Sequence, residues 1–343
     1  MPHYKLALLG FGNVGQALAR LLTEKRAELQ SLYELTFSVT GIATGRHGAA
    51  VYPDGLDIHQ ALALAQAGES FDSISAQPGP LDAFDFIHTC QADVLFENTP
   101  VNYETGQPAV DHLKAALESG MHAITANKGP VVHAYRLLTD LAANKGRRFY
   151  FESAVMDGAP IFSLFREALP AARLKSFQGI LNSTTNLILT RMEAGEDFEQ
   201  AVAYAQSIGI AETDPSGDID GWDAAVKVAA LVTVLMGVPL KPAEVNRRGI
   251  RSITLQEIET AQAQGRRWKL VCSARREGEQ VLARVAPEMV SPGSPLYQVN
   301  GTTSIVQFET DVLGLLSVIE ADPGPHTTAY GLLADFLNAV REK

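Results

Sequence analysis

The sequence predicts an α/β protein in which a domain built on a parallel sheet is joined to a second domain of mixed α/β structure. Short apolar runs alternate with helical segments over residues 1–150, which is typical of a parallel sheet with right-handed crossovers. The pattern changes after residue 151, and strand-like segments follow one another from 268 to 320. The length of 343 residues also corresponds to roughly two domains.

In the first half, the apolar run at 6–9 predicts a buried strand, and a helix follows because apolar residues recur at helical spacing from 17 to 22. The same reasoning predicts the remaining elements of this half. Strands are expected at 37–43, 94–97, 122–125 and 148–151, and helices at 59–67, 108–119 and 131–144.

In the second half, helices and strands no longer alternate. We expect a strand at 178–181, helices at 184–194 and 198–207, an acid-rich loop at 212–223, an apolar helix to 236, strands at 270–273, 281–285, 305–308 and 315–319, and a helix at 327–340. Several successive apolar strands need a partner surface, so the stretch 268–320 is expected to form a dimer interface.

The composition argues against several classes of protein. The chain carries 28 basic and 39 acidic residues, for a formal charge of −11, and 46% of its residues are apolar. These values favour a folded globular chain over broad binding to nucleic acids or anionic membranes. We find no apolar run that predicts a membrane span, no signal peptide and two widely separated cysteines, Cys90 and Cys272. We therefore expect a cytoplasmic protein without a disulfide framework.

A glycine-rich turn, Gly10-Phe11-Gly12-Asn13-Val14-Gly15, lies between the first strand and the first helix. The first glycine allows the tight turn, the second lets the backbone approach a pyrophosphate, and the third lets the helix pack closely on the strand. The phosphates would then bind at the helix N-terminus. The alternative is a plain glycine-rich turn. The strand–turn–helix context favours a Rossmann-type dinucleotide-binding domain formed by residues 1–150 and about 320–343, which leaves 151–319 for substrate binding, catalysis and dimerisation.

Two basic residues follow predicted strands of this domain. No acidic residue lies where the second strand ends, and Arg46 there suits the 2′-phosphate of NADP. Lys128 directly follows the strand 122–125, at the edge of the sheet where ligands bind, so it is a candidate anchor or proton donor near the nicotinamide. For both residues, the alternative is an ordinary exposed side chain.

An acid-rich segment precedes the long apolar helix. Five carboxylates lie between Glu212 and Asp223. Asp223 and Lys227 are four residues apart and share one helix face, and a lysine beside a carboxylate stays protonated and can act as an acid or an oxyanion partner. A solvated acidic loop is the alternative, although Trp222 and the apolar helix imply packing. A calcium loop is excluded, because Lys227 falls where the bidentate glutamate is required.

This segment resembles the signature of the homoserine dehydrogenases. That signature runs alanine, three residues, glycine, an apolar and a small residue, then Asp-Pro, Asp-apolar-x-Gly-x-Asp and a lysine four residues later. Every required position is filled between Ala205 and Lys227. Other matching segments are Gly10 to Gly15, Ala126 to Lys128, Gly179 to Asn186 and Thr327 to Gly331. The resemblance covers nearly the whole chain and implies a reversible, NADP- or NAD-linked reduction of L-aspartate 4-semialdehyde to L-homoserine, in threonine and methionine biosynthesis.

The resemblance also implies roles for individual residues. Lys227, oriented by Asp223, and Lys128 would flank the reacting carbonyl. The substrate would be held by Glu212, Asp218 and Thr184. The cofactor site would comprise Gly10, Gly12, Asn13, Val14, Gly15, Arg46, Thr99 and Lys128. A monovalent cation, usually sodium, would be held largely by backbone carbonyls of the segment that includes Glu152, Val155, Asp157 and Ala159.

The chain departs from the family pattern in places. Met156 and Asp157 replace small residues of the cation segment, and Ser183 replaces a glycine. The chain resembles the short form without a regulatory ACT domain, and we expect a homodimer acting on a small-molecule substrate. One alternative is a related Rossmann dehydrogenase acting on another small aldehyde or ketone. Another is a catalytically silent nucleotide sensor, which the intact Lys128, Asp223 and Lys227 set disfavours.

Overall fold

The structure is a computed structural model that describes residues 1–76, 79–80 and 82–341. The chain divides into two compact units: the first runs from Met1 to Pro160 and resumes at Gly324, and the second runs from Ile161 to Pro323. The predicted extension of the first domain to residue 343 includes residues 342 and 343, which lie outside the described residues.

The first unit contains a six-stranded sheet flanked by helices. Its strands are β1 (His3–Leu9), β2 (Thr36–Thr44), β3 (Gly48–Val51), β4 (Val94–Glu97), β5 (His122–Thr125) and β6 (Phe149–Tyr150), in the order β3-β2-β1-β4-β5-β6. Its helices are α1 (Asn13–Glu24), α2 (Arg26–Leu32), α3 (Ile58–Ala67), α4 (Ala83–Thr89), α5 (Ala109–Glu118), α6 (Lys128–Asn144) and α12 (Pro325–Val340). All neighbouring strands are parallel except the β2–β3 pair, so the predicted parallel sheet is confirmed.

Both faces of this sheet are covered. Leu6 and Leu8 of β1 belong to a core cluster with Leu18 of α1 and Phe336 of α12. The intervening Ala7 and Leu9 belong to a second cluster on the other face, with residues of α4 and α5. A strand buried on both faces is apolar throughout its buried part, which explains why the run at 6–9 lacks the alternation of a half-exposed strand.

The second unit has a mixed sheet of its own. Its strands are β7 (Leu174–Ile180), β8 (Asn246–Arg247), β9 (Arg267–Glu277), β10 (Gln280–Val290), β11 (Ser304–Thr310) and β12 (Gly314–Glu320), in the order β12-β11-β7-β9-β10-β8. Its helices are α7 (Ser183–Met192), α8 (Phe198–Ser207), α9 (Ser216–Ile219), α10 (Trp222–Leu235) and α11 (Leu255–Ala263). The pairs are antiparallel apart from β10 with β8, which confirms the expected mixed α/β structure.

The two faces of the second sheet differ. Phe177, Ala274 and Phe308 pair across neighbouring strands and are buried on one face. Leu315 and Ile319 pair with Glu309 and Ile305, which point to the other face. The edge strand β12 instead exposes large apolar side chains, with Leu315 67% and Ile319 61% exposed. Because alternate residues of a strand point to opposite faces, this unit presents a partly apolar sheet face that its own helices do not cover.

Several local predictions were incomplete. The region 212–223, expected to be a loop, contains the short helix α9, and the predicted helix at 131–144 begins earlier, at Lys128. The sequence also did not predict α2, α4, α11 or the short strand β3. Helix α2 buries only Leu29 among its seven residues, so it carries too little apolar periodicity to be recognised.

Candidate active site

The glycine-rich turn has the geometry that its sequence predicts. Gly10 has a φ of +99°, and a Cβ there would lie 2.4 Å from the Asn98 carbonyl oxygen. A Cβ on Gly15 would lie 2.3 Å from the Gly10 carbonyl oxygen. Gly12 differs, because a Cβ there would meet no atom within 4 Å. Two glycines are therefore required by the fold itself, whereas the third borders open space that a ligand could fill.

Helix α1 begins directly behind this turn. Gly12 is its N-cap, and no side chain caps the helix there. Asn13 and Val14 are the first two helical residues, so their backbone N–H groups lie among those that an α-helix cannot pair internally. An uncapped helix N-terminus beside open space fits the diphosphate of a dinucleotide.

Arg46 lies in a turn just past the end of β2. The Thr44 hydroxyl oxygen accepts hydrogen bonds from the backbone N–H groups of Arg46, at 3.0 Å, and His47, at 2.8 Å. This turn fixes the backbone of Arg46 while the side chain remains exposed. Its guanidinium group is accessible to a ligand, as binding of a 2′-phosphate would require.

Hydrogen bonds connect the segment after β4, which carries Thr99, to the segment after β5, which carries Lys128. Asn127, the N-cap of α6, accepts a bond from Gly129 N–H at 3.0 Å, and its side-chain amide donates to the Thr99 carbonyl at 3.3 Å. Lys128 is the first residue of α6 and is half-buried. Asn127 therefore joins the loop that carries Thr99 to the helix that carries Lys128.

In the second unit, one asparagine connects the predicted catalytic and substrate residues. Asn182 follows β7 and caps α7, accepting hydrogen bonds from the backbone N–H and the hydroxyl of Thr185, both at 2.8 Å. Its Nδ2 donates to Asp218 Oδ1 at 2.6 Å and to Asp223 Oδ2 at 3.0 Å. The cap leaves the Asn182 side chain fixed, and both carboxylates are held against it.

Lys227 is held by two oxygens. Its Nζ lies 3.1 Å from Asp223 Oδ2 and donates to the Leu181 carbonyl at 2.6 Å. The side chains of Lys227 and Asp223 are 15% and 9% exposed. The predicted i, i+4 pair on α10 is therefore formed, and the ammonium group is directed to the end of β7 by contacts that leave little rotational freedom.

The surroundings of Asp218 disfavour its ionised form. Burial raises its pKa first, and the neighbouring Asp223 carboxylate raises it further. Hydrogen bonds from Asn182 and Thr184 and the positive charge of Lys227 act in the opposite direction without cancelling the rise. The Thr184 hydroxyl also lies 3.2 Å from the Ile210 carbonyl oxygen, so the predicted pocket residue is anchored beside Asp218.

Glu212 is not one of the carboxylates that Asn182 joins. The residue is exposed, and its backbone carbonyl accepts a hydrogen bond from the Gln206 side chain at 3.2 Å. Of the five predicted substrate and catalytic residues in this unit, four thus lie together, and the fifth, Glu212, lies on the exposed part of the loop before α9.

The segment expected to bind a cation is compact. Glu152 opens a 3-10 turn, and its N–H donates to Asp335 at 2.6 Å. The Asp157 carboxylate accepts hydrogen bonds from the hydroxyls of Thr328, at 3.0 Å, and Thr327, at 3.3 Å. The Asp157 side chain is thereby engaged at the start of α12, so a cation bound here would have to be held by the backbone.

Backbone bonds within the segment use the carbonyls of Phe151 and Met156, and neither is one of the four residues expected to bind the cation. In the part of the chain that the structure describes, no group of three or more His, Cys, Asp or Glu side chains could hold a metal ion. A cation site here would therefore depend on backbone carbonyls, as the resemblance implies.

The described residues contain neither a disulfide nor a membrane-spanning helix. Cys90 and Cys272 are both free and buried, and burial raises the pKa of their thiols to about 11 and about 12, which makes them poor nucleophiles. Across the residues with described coordinates, every helix is too short or too polar to span a membrane.

Sequence reasoning did not single out Asn182 or Glu97. Asn182 lies 36 and 41 positions from the two carboxylates it joins, a separation that no local spacing reveals. Glu97 ends a buried strand, accepts a hydrogen bond from the Thr99 N–H at 2.9 Å, and has its other carboxyl oxygen 2.8 Å from the Thr125 hydroxyl. A polar residue at the carboxyl end of an apolar strand was the available signal in both cases.

Models of known protein families match both units of the chain. A model of the homoserine dehydrogenase family matches residues 160–337, and a model of the homoserine dehydrogenase NAD-binding domain matches residues 10–152. The second match contains the glycine-rich turn, Arg46, Thr99 and Lys128. The first contains the Asn182 group.

Individual relatives match over almost the full chain. A Pseudomonas canavaninivorans NAD(+)-dependent homoserine dehydrogenase is 36% identical over 98% of this chain and 96% of its own length. A Methanocaldococcus jannaschii homoserine dehydrogenase is 36% identical over 97% of each chain. The crystal structure of a homoserine dehydrogenase from Thiobacillus denitrificans has a TM-score of 0.83 at 28% identity, covering 98% of this chain and 73% of that one.

Proposed function

The chain belongs to the homoserine dehydrogenase family, and we propose how its residues carry out that family's reaction, the nicotinamide-dependent interconversion of L-homoserine and L-aspartate 4-semialdehyde in threonine and methionine biosynthesis. The observation that carries the proposal is the arrangement of Lys227, Asp223 and Asp218 around Asn182. It combines a fixed proton donor with the buried Asp223 and the half-buried Asp218 in the part of the chain that matches the family.

We propose that Lys227 stabilises the substrate oxygen and exchanges its proton. The bound nicotinamide supplies or accepts the hydride. As the aldehyde is reduced, negative charge develops on its oxygen, and a positioned ammonium group both stabilises that charge and supplies the proton. Asp223 keeps Lys227 oriented, because the two groups lie 3.1 Å apart in a largely buried setting. Lys128 is proposed as a second cation acting on the same oxygen.

Substrate binding is assigned to Asp218, Thr184 and Glu212. Homoserine carries an ammonium group and a hydroxyl, both of which donate hydrogen bonds, so carboxylates and a threonine hydroxyl are suitable partners. A positive substrate group near Asp218 would also relieve the repulsion between Asp218 and Asp223. The exposed Glu212 is proposed to contact the substrate ammonium group when substrate is bound.

The nicotinamide cofactor is proposed to be NADP in preference to NAD. The turn after β2 presents Arg46 and contains no acidic residue to accept a bond from the ribose hydroxyl. A guanidinium group binds a phosphate with two parallel hydrogen bonds, and NAD lacks that phosphate. Gly10, Gly12, Asn13, Val14 and Gly15 are proposed to hold the diphosphate, and Thr99 and Lys128 the nicotinamide half.

Two further features complete the proposal. A monovalent cation such as sodium is proposed to bind backbone carbonyls of the segment that includes Glu152, Val155, Asp157 and Ala159. A homodimer is proposed to form on the open face of the second sheet, where Leu315 and Ile319 are exposed. Apolar residues on an edge strand favour pairing with a second copy.

The assay that tests the proposed function measures formation of the reduced nicotinamide from L-homoserine, with NADP and NAD supplied separately. L-Serine and L-threonine serve as matched alcohols that differ in chain length or branching. Turnover with homoserine far above both is expected. A clear preference for a different small alcohol would instead indicate the related Rossmann dehydrogenase considered as the alternative.

A further inference from the structure

Glu97 is a fully buried carboxyl group that the proposed reaction leaves unused. It is the last residue of β4 and has 0% of its surface exposed. Burying a carboxylate is costly unless a cation or several hydrogen bonds compensate it. A side chain of this kind at the carboxyl end of a central strand therefore calls for a physical explanation.

Its neighbours are the segments that carry two proposed cofactor residues. Glu97 Oε1 accepts the backbone N–H of Thr99 at 2.9 Å and also the Thr99 hydroxyl. Glu97 Oε2 lies 2.8 Å from the hydroxyl oxygen of Thr125, the last residue of β5. Asn127, the residue before Lys128, donates its N–H to that same Thr125 oxygen at 2.9 Å. One carboxyl group thus spans the ends of two neighbouring strands.

The number of protons around Thr125 distinguishes the two charge states of Glu97. The Thr125 hydroxyl lies 2.8 Å from the Glu97 backbone carbonyl and equally close to Oε2, but it has one proton to donate. If Oε2 carries a proton, it donates to Thr125, and the Thr125 proton goes to the carbonyl, so every contact is satisfied. If Glu97 is ionised, Thr125 can supply a proton to only one of the two acceptors, and the carboxyl group then depends more on the Asn127 side-chain amide, which also donates to it.

Charge also favours the neutral form of Glu97. Burial raises the pKa of Glu97, and the hydrogen bonds from Thr99, Thr125 and the Asn127 side chain oppose this only in part. The Thr99 nitrogen, which donates to Glu97, lies 3.1 Å from where a Cβ on Gly10 would be, so the carboxyl group adjoins the turn assigned to the diphosphate. A buried anion there would repel the phosphates, whereas a neutral acid would not.

We propose that Glu97 is a positioning residue: as a neutral carboxylic acid, it fixes the Thr99 and Lys128 segments in the geometry that binds the nicotinamide cofactor. The inference rests on the proposed function for the roles of Thr99 and Lys128. The charge state of Glu97 is independent of that function and can be measured on the cofactor-free protein.

The first experiment is infrared difference spectroscopy of the cofactor-free wild type against Glu97→Gln at neutral pH. A protonated carboxyl has a C=O stretch above the amide band, and the contributions of other acids cancel in the difference. We expect a carboxylic acid band in the wild type that the variant lacks. A carboxylate band in its place would overturn the proposal even if the enzyme is fully active.

The second experiment measures cofactor affinity by fluorescence titration with NADPH and NADH. Glu97→Gln keeps an acceptor for Thr99 and a donor for Thr125, so its Kd should stay within about threefold of the wild type. Glu97→Ala leaves those groups unpaired and should raise Kd by roughly 10-fold or more. Rescue by glutamine would distinguish positioning from a need for negative charge.

Thr40→Val is the matched control. Thr40 is fully buried in β2 and donates its hydroxyl to the Cys90 carbonyl at 2.7 Å, so its loss should lower Tm without changing Kd. If Glu97→Ala behaves like this control, or if glutamine weakens binding as much as alanine does, the positioning role is wrong. Should Glu97→Ala fail to fold, the glutamine variant and the infrared band still decide the question.

Discussion

Two carboxylates, Asp218 and Asp223, share the single side-chain amide of Asn182. Lys227 neutralises this pair only in part, because burial and the mutual repulsion still raise the pKa of Asp218. The arrangement is unfavourable for the isolated fold and suits an enzyme whose substrate brings an ammonium group. At the residue scale, part of the folding stability is thus exchanged for substrate binding.

Asp218→Asn should therefore stabilise the protein while lowering its activity. The folded pKa of Asp218 is raised above its unfolded value, so its contribution to stability is complete below the unfolded pKa and is lost as pH rises through the folded pKa. The asparagine variant does not lose this stability, so its free energy of unfolding at pH 7 should exceed that of the wild type by on the order of 1 kcal/mol. Thermal unfolding at pH 7 and at a pH below about 4 checks this. The advantage should disappear below about pH 4, and an equal advantage at both pH values would contradict the explanation.

Arg46→Ala should weaken the binding of NADPH far more than the binding of NADH. Only the 2′-phosphate of NADPH can form the paired hydrogen bonds with the guanidinium group, and their loss should raise its Kd by roughly 10-fold. Fluorescence titration of both cofactors measures the effect, with Arg136→Ala, an exposed arginine of α6, as the control. Equal weakening of both cofactors would show that Arg46 does not select between them.

At the scale of elements, the glycine-rich turn separates structural from functional glycines. A Cβ on Gly15 would lie 2.3 Å from a backbone oxygen, whereas a Cβ on Gly12 would meet nothing within 4 Å. Gly12 has a φ of −77°, which alanine adopts freely. The two positions therefore permit a matched pair of substitutions.

Gly12→Ala should keep a Tm close to the wild type while raising the cofactor Kd by about 10-fold or more, because its methyl group occupies the space proposed for the diphosphate. Gly15→Ala should instead lower Tm through the backbone clash. Differential scanning calorimetry and cofactor titration on both variants provide the comparison. Unchanged affinity in a folded Gly12→Ala protein would place the diphosphate elsewhere.

The elements that could be predicted from sequence are those whose burial leaves a periodic mark. Strand β1, helix α10 and the late strands β9 to β12 carry such marks and lie where expected. Helices α2 and α11 bury one or two residues each and have too little periodicity to be recognised. The Lys227–Asp223 pair was predictable because both residues lie on one helix. Their connection to Asn182 depends on how α10 packs beside the end of β7, which no local pattern encodes.

At the scale of the whole molecule, the second sheet leaves one face uncovered by its own helices. Leu315 and Ile319 are 67% and 61% exposed on the edge strand β12. Exposed apolar residues on an edge strand promote association, and proteins normally protect such an edge. A second copy of the chain is the proposed cover.

Light scattering at micromolar concentration should therefore report a dimer. Replacing Leu315 and Ile319 together with lysine should shift the protein to monomers, because two charges would have to be desolvated at the interface. Leu137→Lys, at a residue of α6 that is 53% exposed, serves as the control and should remain dimeric. A monomeric wild type would exclude this interface.

The central claim is that Lys227, held by Asp223 and the Leu181 carbonyl, provides the proton and the positive charge for homoserine chemistry. The most direct measurement is kcat for L-homoserine oxidation in Lys227→Ala, with Lys241→Ala, an exposed lysine of the same unit, as the control and circular dichroism to verify folding. We expect kcat to fall roughly 10²-fold or more in the first variant and to stay near the wild-type value in the second. Near wild-type turnover in a folded Lys227→Ala protein would contradict the account.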